Sequence, residues 1–215
     1  MVKSKLRVRR CKYCNELFQQ IQPLQYLCLP PKNCSWKYQE VLKANKEAKE
    51  SKDKFKVMEI KCTNWRKKLQ FKVQEIVKYI DRGLPCLARG NFPKRYNAGH
   101  IYARGGNTSM ALNLHNIHRQ SAQSNHFQND DGLLREGLTN EYGKPYMDFI
   151  SDLRRTPQLK YSNEDYHQFF LKASGISLIL KKSDNEYDLD ARISFRNEVN
   201  CQLGIYTAEF CNFEK

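Results

Sequence analysis

The amino-acid sequence predicts an α+β fold that is mainly helical, and three observations carry that reading. Apolar residues recur at helical spacing over residues 64–81, again from 163, and again over 188–203. The central stretch, residues 84–130, lacks that periodicity and holds Gly90, Pro93, Gly99, Gly105 and Gly106, as short strands and loops do. Four cysteines near the start, Cys11, Cys14, Cys28 and Cys34, are spaced to close a small metal-bound module.

Residues 1–10 read as a disordered basic tail with Lys3, Lys5, Arg7, Arg9 and Arg10. The Cys11–Cys14 pair is tight, like a zinc knuckle. The Cys28–Cys34 pair is looser, and Pro30–Pro31 stiffens the loop between them. Four thiolates converging from two turns suit a tetrahedral structural Zn²⁺ with no open position for catalysis. In so small a core, metal binding supplies most of the local folding energy. The alternative is four unligated thiols, or metal on the first pair alone. Cys62, Cys201 and Cys211 read as ordinary buried or partly buried thiols.

Residues 36–60 form one long helix, charged all round and so expected to bridge modules rather than enter a core. In residues 64–81, Trp65, Leu69, Val73, Ile76 and Ile80 make one apolar stripe; Asn64 caps its start, and Gly83 and Pro85 stop it. Short helices follow over 131–142, ended by Gly143, and over 145–155, opened by Pro145. Ser162 and Asp165 form a capping box for a helix from about 163, with Tyr166, Phe169, Phe170 and Ala173 on one face. A last helix spans 188–203, with Leu189, Ile193, Val199 and Leu203 inward and Gly204 as its stop. The domain division expected is residues 1–35 (tail and knuckle), 36–82 (basic helical arm), 83–160 (hairpin unit) and 161–215 (helical scaffold).

Net charge is +14, and its placement is lopsided. Residues 1–95 hold 24 Lys/Arg against 8 Asp/Glu, a net of +16; residues 96–215 hold 13 against 15, a net of −2. An arm that neutralises phosphates and releases counterions has this composition; a solvated Lys-rich helix is the plainer reading. Candidate phosphate contacts are Arg7, Arg9, Arg10, Lys67, Lys68 and Arg119. Mean hydropathy is −0.77 and no apolar run approaches membrane-spanning length, so no membrane partner is expected. The basic start lacks the apolar stretch of a secretory signal, which makes a reducing, cytoplasmic setting the default.

Four of the five histidines fall within 27 residues: His100, His115, His118 and His126. His100, then Asn116 sixteen residues on, then Asn125–His126 nine further, is the order of a His-Asn-His (HNH) nuclease. That spacing suits a hairpin plus helix, a ββα-metal unit, holding one divalent ion beside one general base. His100, at a strand end after Gly99, suits the base, since an ordinary imidazole titrates near neutrality. Asn116 on the returning strand holds the loop or orients the imidazole. Asn125 opens the helix with a carboxamide oxygen for Mg²⁺ or Mn²⁺, and His126 is the neighbouring alternative ligand. His115 and His118 read as structural or phosphate-adjacent, and His167 as bland.

These residues, with the four-cysteine start, the Lys-rich helix, Gly83-Leu84-Pro85-Cys86, Asn97-Ala98-Gly99-His100 and Asn116-Ile117-His118-Arg119-Gln120, resemble the NinG/Rap recombination endonucleases of lambdoid phages, up to about residue 150. The resemblance implies a phage- or prophage-encoded enzyme of the bacterial host cytoplasm that resolves branched DNA such as Holliday junctions. It implies His100 as base, Asn116 as the central Asn and Asn125 on the metal side. The family pattern has a second zinc near the hairpin; here Cys86 remains while Arg89, Ser121 and Ser124 take the other places, so that zinc is expected to be absent and packing to hold the hairpin. Asn97 stands where the family has Asp, and Gln128 at a Lys-like position.

The expectation is therefore an HNH-type, metal-dependent DNA endonuclease with a structural zinc, and Asn97 as an auxiliary metal ligand. Two symmetric cuts on a junction suit a homodimer. The alternative is a non-catalytic, zinc-containing DNA-binding recombination accessory with a degenerate site. A structured-RNA or ribosome-associated zinc protein is a third reading, which leaves the His/Asn cluster without a purpose.

Overall fold

The computed structural model describes residues 7–22, 24–28, 34–127 and 130–214, and for His126 and Phe127 the backbone alone. Lys3, Lys5, Pro30–Pro31 and Gln128 thus lie outside the described residues. The chain forms two compact units, Met1–Glu59 and Ile60–Lys215. It is mainly helical with small antiparallel sheets, as an α+β reading requires.

In the first unit, β1 (Val8–Arg10) pairs antiparallel with β2 (Leu17–Gln19), Arg9 opposite Phe18. The expected disordered tail is thus corrected at its end: Val8–Arg10 are tied into a ladder whose turn carries Cys11 and Cys14. α1 (Cys34–Cys62) then runs 29 residues. Cys34 is its buried residue, as expected of a helix charged on every side.

In the second unit, α2 (Trp65–Ile80) starts where Asn64 accepts from the Lys67 amide at 3.0 Å. Its whole stripe, Trp65, Leu69, Val73, Ile76 and Ile80, is buried. β3 (Tyr96–His100) and β4 (Ile117–Ser121) make an antiparallel hairpin with His100 opposite Ile117, and α3 (Ala122–Phe127) follows at once. Then come α4 (Asp131–Tyr142), α5 (Lys144–Asp152), α6 (Asn163–Lys182), α7 (Leu189–Leu203) and α8 (Ala208–Cys211). The Ser162–Asp165 capping box opens α6, which continues past Gly175 because Ser177 and Leu180 are buried on its inner side. α7 is not the last helix. α8 follows it, and Cys211 packs inside. Cys62 and Cys201, expected to be buried or partly buried, are exposed.

One core joins α2, α6, α7 and the hairpin through Leu69, Val73, Ile76, Leu114, Ile117, Ala173, Val199 and Leu203. A second gathers Ile101, Met110, Leu134, Leu138, Tyr146 and Ile150. Between hairpin and α7 the filling is polar. Arg196, fully buried, donates through Nη2 to both oxygens of Asp81 at 2.8 Å, and Asp81 also accepts from the Arg119 amide at 3.1 Å. The same Nη2 lies 3.3 Å from His118 Nδ1, and His118 Nε2–H donates to the His115 carbonyl at 3.0 Å. His115 in turn donates from Nε2 to the Cys211 carbonyl (3.0 Å) and accepts the Tyr146 hydroxyl at Nδ1 (2.9 Å). Burial, then the charge of Arg196, pushes His115 down to about 3 and His118 well below an ordinary imidazole. Both are neutral pillars of the core.

Arg119 corrects a sequence expectation. It is 3% exposed, donates to the Pro85 carbonyl at 2.6 Å and pairs with Glu141. These partners hold its side chain in the interior. The Cys86 neighbourhood also differs from expectation. The Ser121 amide donates to Cys86 Sγ (3.2 Å), the Ser124 amide to Ser121 Oγ (3.0 Å), and Arg89 clasps Asp130 at 2.7 and 3.1 Å. A hydrogen bond to Cys86, rather than packing alone, ties the hairpin to the loop after α2, and the ion pair ties that loop to the start of α4.

Candidate active site

The end of β3, the outer side of α2 and α3 enclose a cleft of about 590 Å³ lined by Asn97, His100 and Asn125, with Lys67, Arg104 and Asp131; Asn125 is the fourth residue of α3 and does not open it, as the sequence suggested, because the helix already starts at Ala122. Three residues singled out from the sequence therefore share one cavity although up to 28 positions separate them.

His100 Nε2 lies 3.0 Å from the Ala111 carbonyl oxygen. A carbonyl can only accept, so Nε2 carries the proton and Nδ1 is left with its lone pair. Burial and, to a smaller extent, the charge of Arg104 lower the His100 pKa; the Ala111 bond offsets part of this. The result is a neutral imidazole, fixed in one tautomer, at the wall of the cleft.

Asn116 does not reach the cleft. It is fully buried, its Oδ1 accepting from the Tyr102 amide (2.9 Å) and its Nδ2 donating to the Tyr102 carbonyl (3.2 Å). Of the two roles open to it from sequence, the geometry gives it the loop: it closes residues 101–116 into a fixed turn whose Ala111 carbonyl holds His100.

Gly99 explains how Asn125 comes to the hairpin. A β-carbon built there would sit 1.9 Å from Gln120 Oε1 and 3.0 Å from Asn125 Oδ1. Only the bare backbone leaves room for the two carboxamides. Asn97, two residues from Gly99 and half-buried, faces the same space. The side chain of His126 lies outside the described residues. Asp131, exposed at the first turn of α4, was not singled out from sequence. Its sequence cue is the acidic pair Asp130–Asp131 soon after the predicted metal-side helix.

The basic residues divide. Lys67 lines the cleft, whereas the Lys68 ammonium sits over the Trp65 ring at 4.4 Å. In the first unit, Arg9 stacks on Tyr26 at 5.4 Å, Arg10 donates to the Asn15 carbonyl at 3.1 Å, and Arg7 is exposed.

Also in the first unit, the sulfurs of Cys11, Cys14, Cys28 and Cys34 all lie within 4.8 Å of one another, with Cys14 and Cys28 3.8 Å apart. A tetrahedron of zinc–sulfur bonds of about 2.3 Å has edges of about 3.8 Å. The Tyr13 amide donates to Cys11 Sγ at 3.4 Å. Burial raises the Cys11 pKa, but backbone donors at Cys14, Cys28 and Tyr13 outweigh it and bring the thiol to about 6. Cys34, hydrogen-bonded to Cys28 and buried, is pushed up to about 12. The cluster can hold a structural metal such as zinc.

A family model described as Bacteriophage Lambda NinG protein matches residues 3–183 of this chain. The chain belongs to the NinG family. Two NinG relatives, "Protein ninG" of Escherichia phage 933W and "Protein ninG" of Enterobacteria phage VT2-Sa, are each 28% identical to it over 161 residues, 66% of this chain and 79% of theirs. No solved structure matches. The NinG match ends just past α6, so it contains the cysteine cluster and the cleft, while α7, which supplies Arg196 beneath the hairpin, lies beyond it. No helix among the described residues is long and apolar enough to cross a membrane.

Proposed function

We propose that this NinG-family protein is a metal-dependent DNA endonuclease of the HNH type, acting on branched DNA. The single observation that carries the reading is the His100–Ala111 bond, which leaves Nδ1 as the unprotonated nitrogen of an imidazole that lines a cleft of oxygen donors and cations. Asn97, Asn125 and Asp131, which line the cleft, are hard oxygen donors of the kind Mg²⁺ and Mn²⁺ select. When bound, the ion supplies charge neutralisation at the phosphate and the departing 3′-oxygen.

The protein's own residues do the rest. His100 Nδ1 takes the proton from the attacking water, and the charge that develops on the ring is shared with the Ala111 carbonyl through Nε2–H. Asn116 keeps that carbonyl in place by holding the loop. Lys67 and Arg104 attract the phosphodiester and hold it over the imidazole. The four-cysteine module, with a bound zinc, and the Arg7–Arg10 strand add phosphate contacts that carry no sequence information. Preference for branches then comes from shape, and a homodimer supplies the paired cuts.

One observation favours a second reading, a non-catalytic DNA-binding accessory: Asn97 brings no negative charge where the resemblance puts an Asp. Incubation of the protein with a four-way junction and Mg²⁺ or Mn²⁺ separates the two. Nicking by the wild type that disappears in His100→Ala, with junction binding kept, supports the enzyme. Tight binding with no nick under any metal selects the accessory.

A further inference from the structure

α2 carries two kinds of surface. Its apolar stripe is buried, while Lys67, Phe71, Gln74 and Lys78 face the cleft that holds His100. Phe71 is the odd member: a full aromatic ring, 61% exposed. A single exposed Phe is unremarkable by itself; its position is not. Gln74, one turn on, donates to the Ala98 carbonyl at 3.2 Å, on the strand that ends in His100. Arg66, near the start of the helix, donates to the Thr108 carbonyl at 3.1 Å, in the loop whose Ala111 oxygen fixes His100. Phe71 lies between these two anchors, so its place relative to the imidazole is set by the backbone on both sides.

Its neighbours decide what it can receive. Lys67 lies about 6 Å before it along the helix axis and Lys78 about 10 Å after it, and Gln70 and Gln74 flank it. A protein partner would require further apolar surface, and the other apolar residues lining the cleft are Ala98 and Ala103. A flat ring bracketed by cations matches a nucleic-acid strand, a base on the aromatic face and phosphates on the lysines. A continuous duplex keeps its bases stacked on one another and offers none. A splayed fork, a flap or a gap does.

We propose that Phe71 stacks on an unpaired base of the DNA beside the cleavage site, so that unpaired nucleotides at a branch are what this cleft selects. The inference rests on the DNA reading above and names its substrate feature.

Equilibrium binding of zinc-loaded protein with no added Mg²⁺ or Mn²⁺, read by fluorescence anisotropy, tests it on a splayed DNA fork and on a fully paired duplex of equal length. Phe71→Ala weakens fork binding about tenfold or more, the worth of one base–aromatic stack, and duplex binding less than about threefold. Phe71→Trp restores the fork, and Phe71→Leu, which keeps apolar volume without a π face, does not. Equal losses on both probes, an unchanged fork affinity, or full rescue by leucine overturns the inference and leaves the nuclease reading standing. A wild type that binds neither probe overturns the DNA reading itself. A wild type that prefers an RNA fork by tenfold overturns the assignment to DNA.

Discussion

His100 and Ala111 are joined by a 3.0 Å hydrogen bond from imidazole Nε2 to carbonyl oxygen, and that bond decides which ring nitrogen is free for chemistry. It also sets the pH behaviour. The ring acts as a base only when neutral, and its pKa is held below the ordinary value of 6.5 by burial and by Arg104. Cleavage therefore rises with pH through a pKa below 6.5 and is flat above it. His100→Ala lowers the rate about 10²- to 10⁴-fold with binding intact. A pH–rate profile of single-turnover cleavage checks this; a rate still climbing above pH 7 argues against His100 as the base.

Gly99→Ala is the sharpest steric probe of the site. The new β-carbon collides with Gln120 Oε1 at 1.9 Å and crowds Asn125 Oδ1 at 3.0 Å, so both side chains must move. The expected outcome is a fold kept within about 1–3 kcal/mol of wild type and a clear loss of divalent-metal affinity. Calorimetric titration with Mn²⁺ reads it. Unaltered metal affinity would remove Asn125 from the ligand set.

Acid stability follows from the two neutral histidines under the hairpin. Both have folded pKa values far below the unfolded 6.5, so the unfolded chain binds more protons as pH drops. Stability is complete above about 6.5 and is lost as pH falls toward 3. With His115 at about 3, the loss at pH 5 is about 2 kcal/mol from that residue, and His118 adds in the same direction. Urea unfolding at pH 7 and pH 5 measures the difference. Equal midpoints would mean that both rings are reached by water.

Zinc content tests the first unit. One Zn²⁺ per chain is expected by elemental analysis, lost in Cys14→Ser. Because the bond to Cys28 and burial push Cys34 up to about 12, loading releases protons, and affinity falls as pH falls. Retained zinc in Cys14→Ser would place the ion elsewhere.

The sequence made the local elements readable and left long-range polar pairings hidden. The α2 stripe, the Asn64 cap and the Ser162–Asp165 box are each settled within one or two helical turns, where spacing and chemistry act together. Cys11, Cys14, Cys28 and Cys34 were readable because thiolates at that spacing have few other purposes. Arg119 looked like a phosphate contact because nothing nearby in the chain announces Glu141 or the Pro85 carbonyl. Asp81 and Arg196, 115 positions apart, give no periodic signal at all. The Asn116 side chain could be placed on the returning strand, but its bond to Tyr102 depends on how the 101–116 loop folds back. Asp131 and Phe71 enter the cleft only because α4 and α2 arrive there in three dimensions.

The central claim is that Asn97, Asn125 and Asp131 hold one divalent cation beside His100. Electron paramagnetic resonance of Mn²⁺ with zinc-loaded protein and a non-cleavable phosphorothioate junction addresses it most directly. One bound Mn²⁺ per chain, kept in His100→Ala and weakened about tenfold or more in Asp131→Asn, is the outcome expected. No bound Mn²⁺ at millimolar metal, with the junction fully bound, would contradict it.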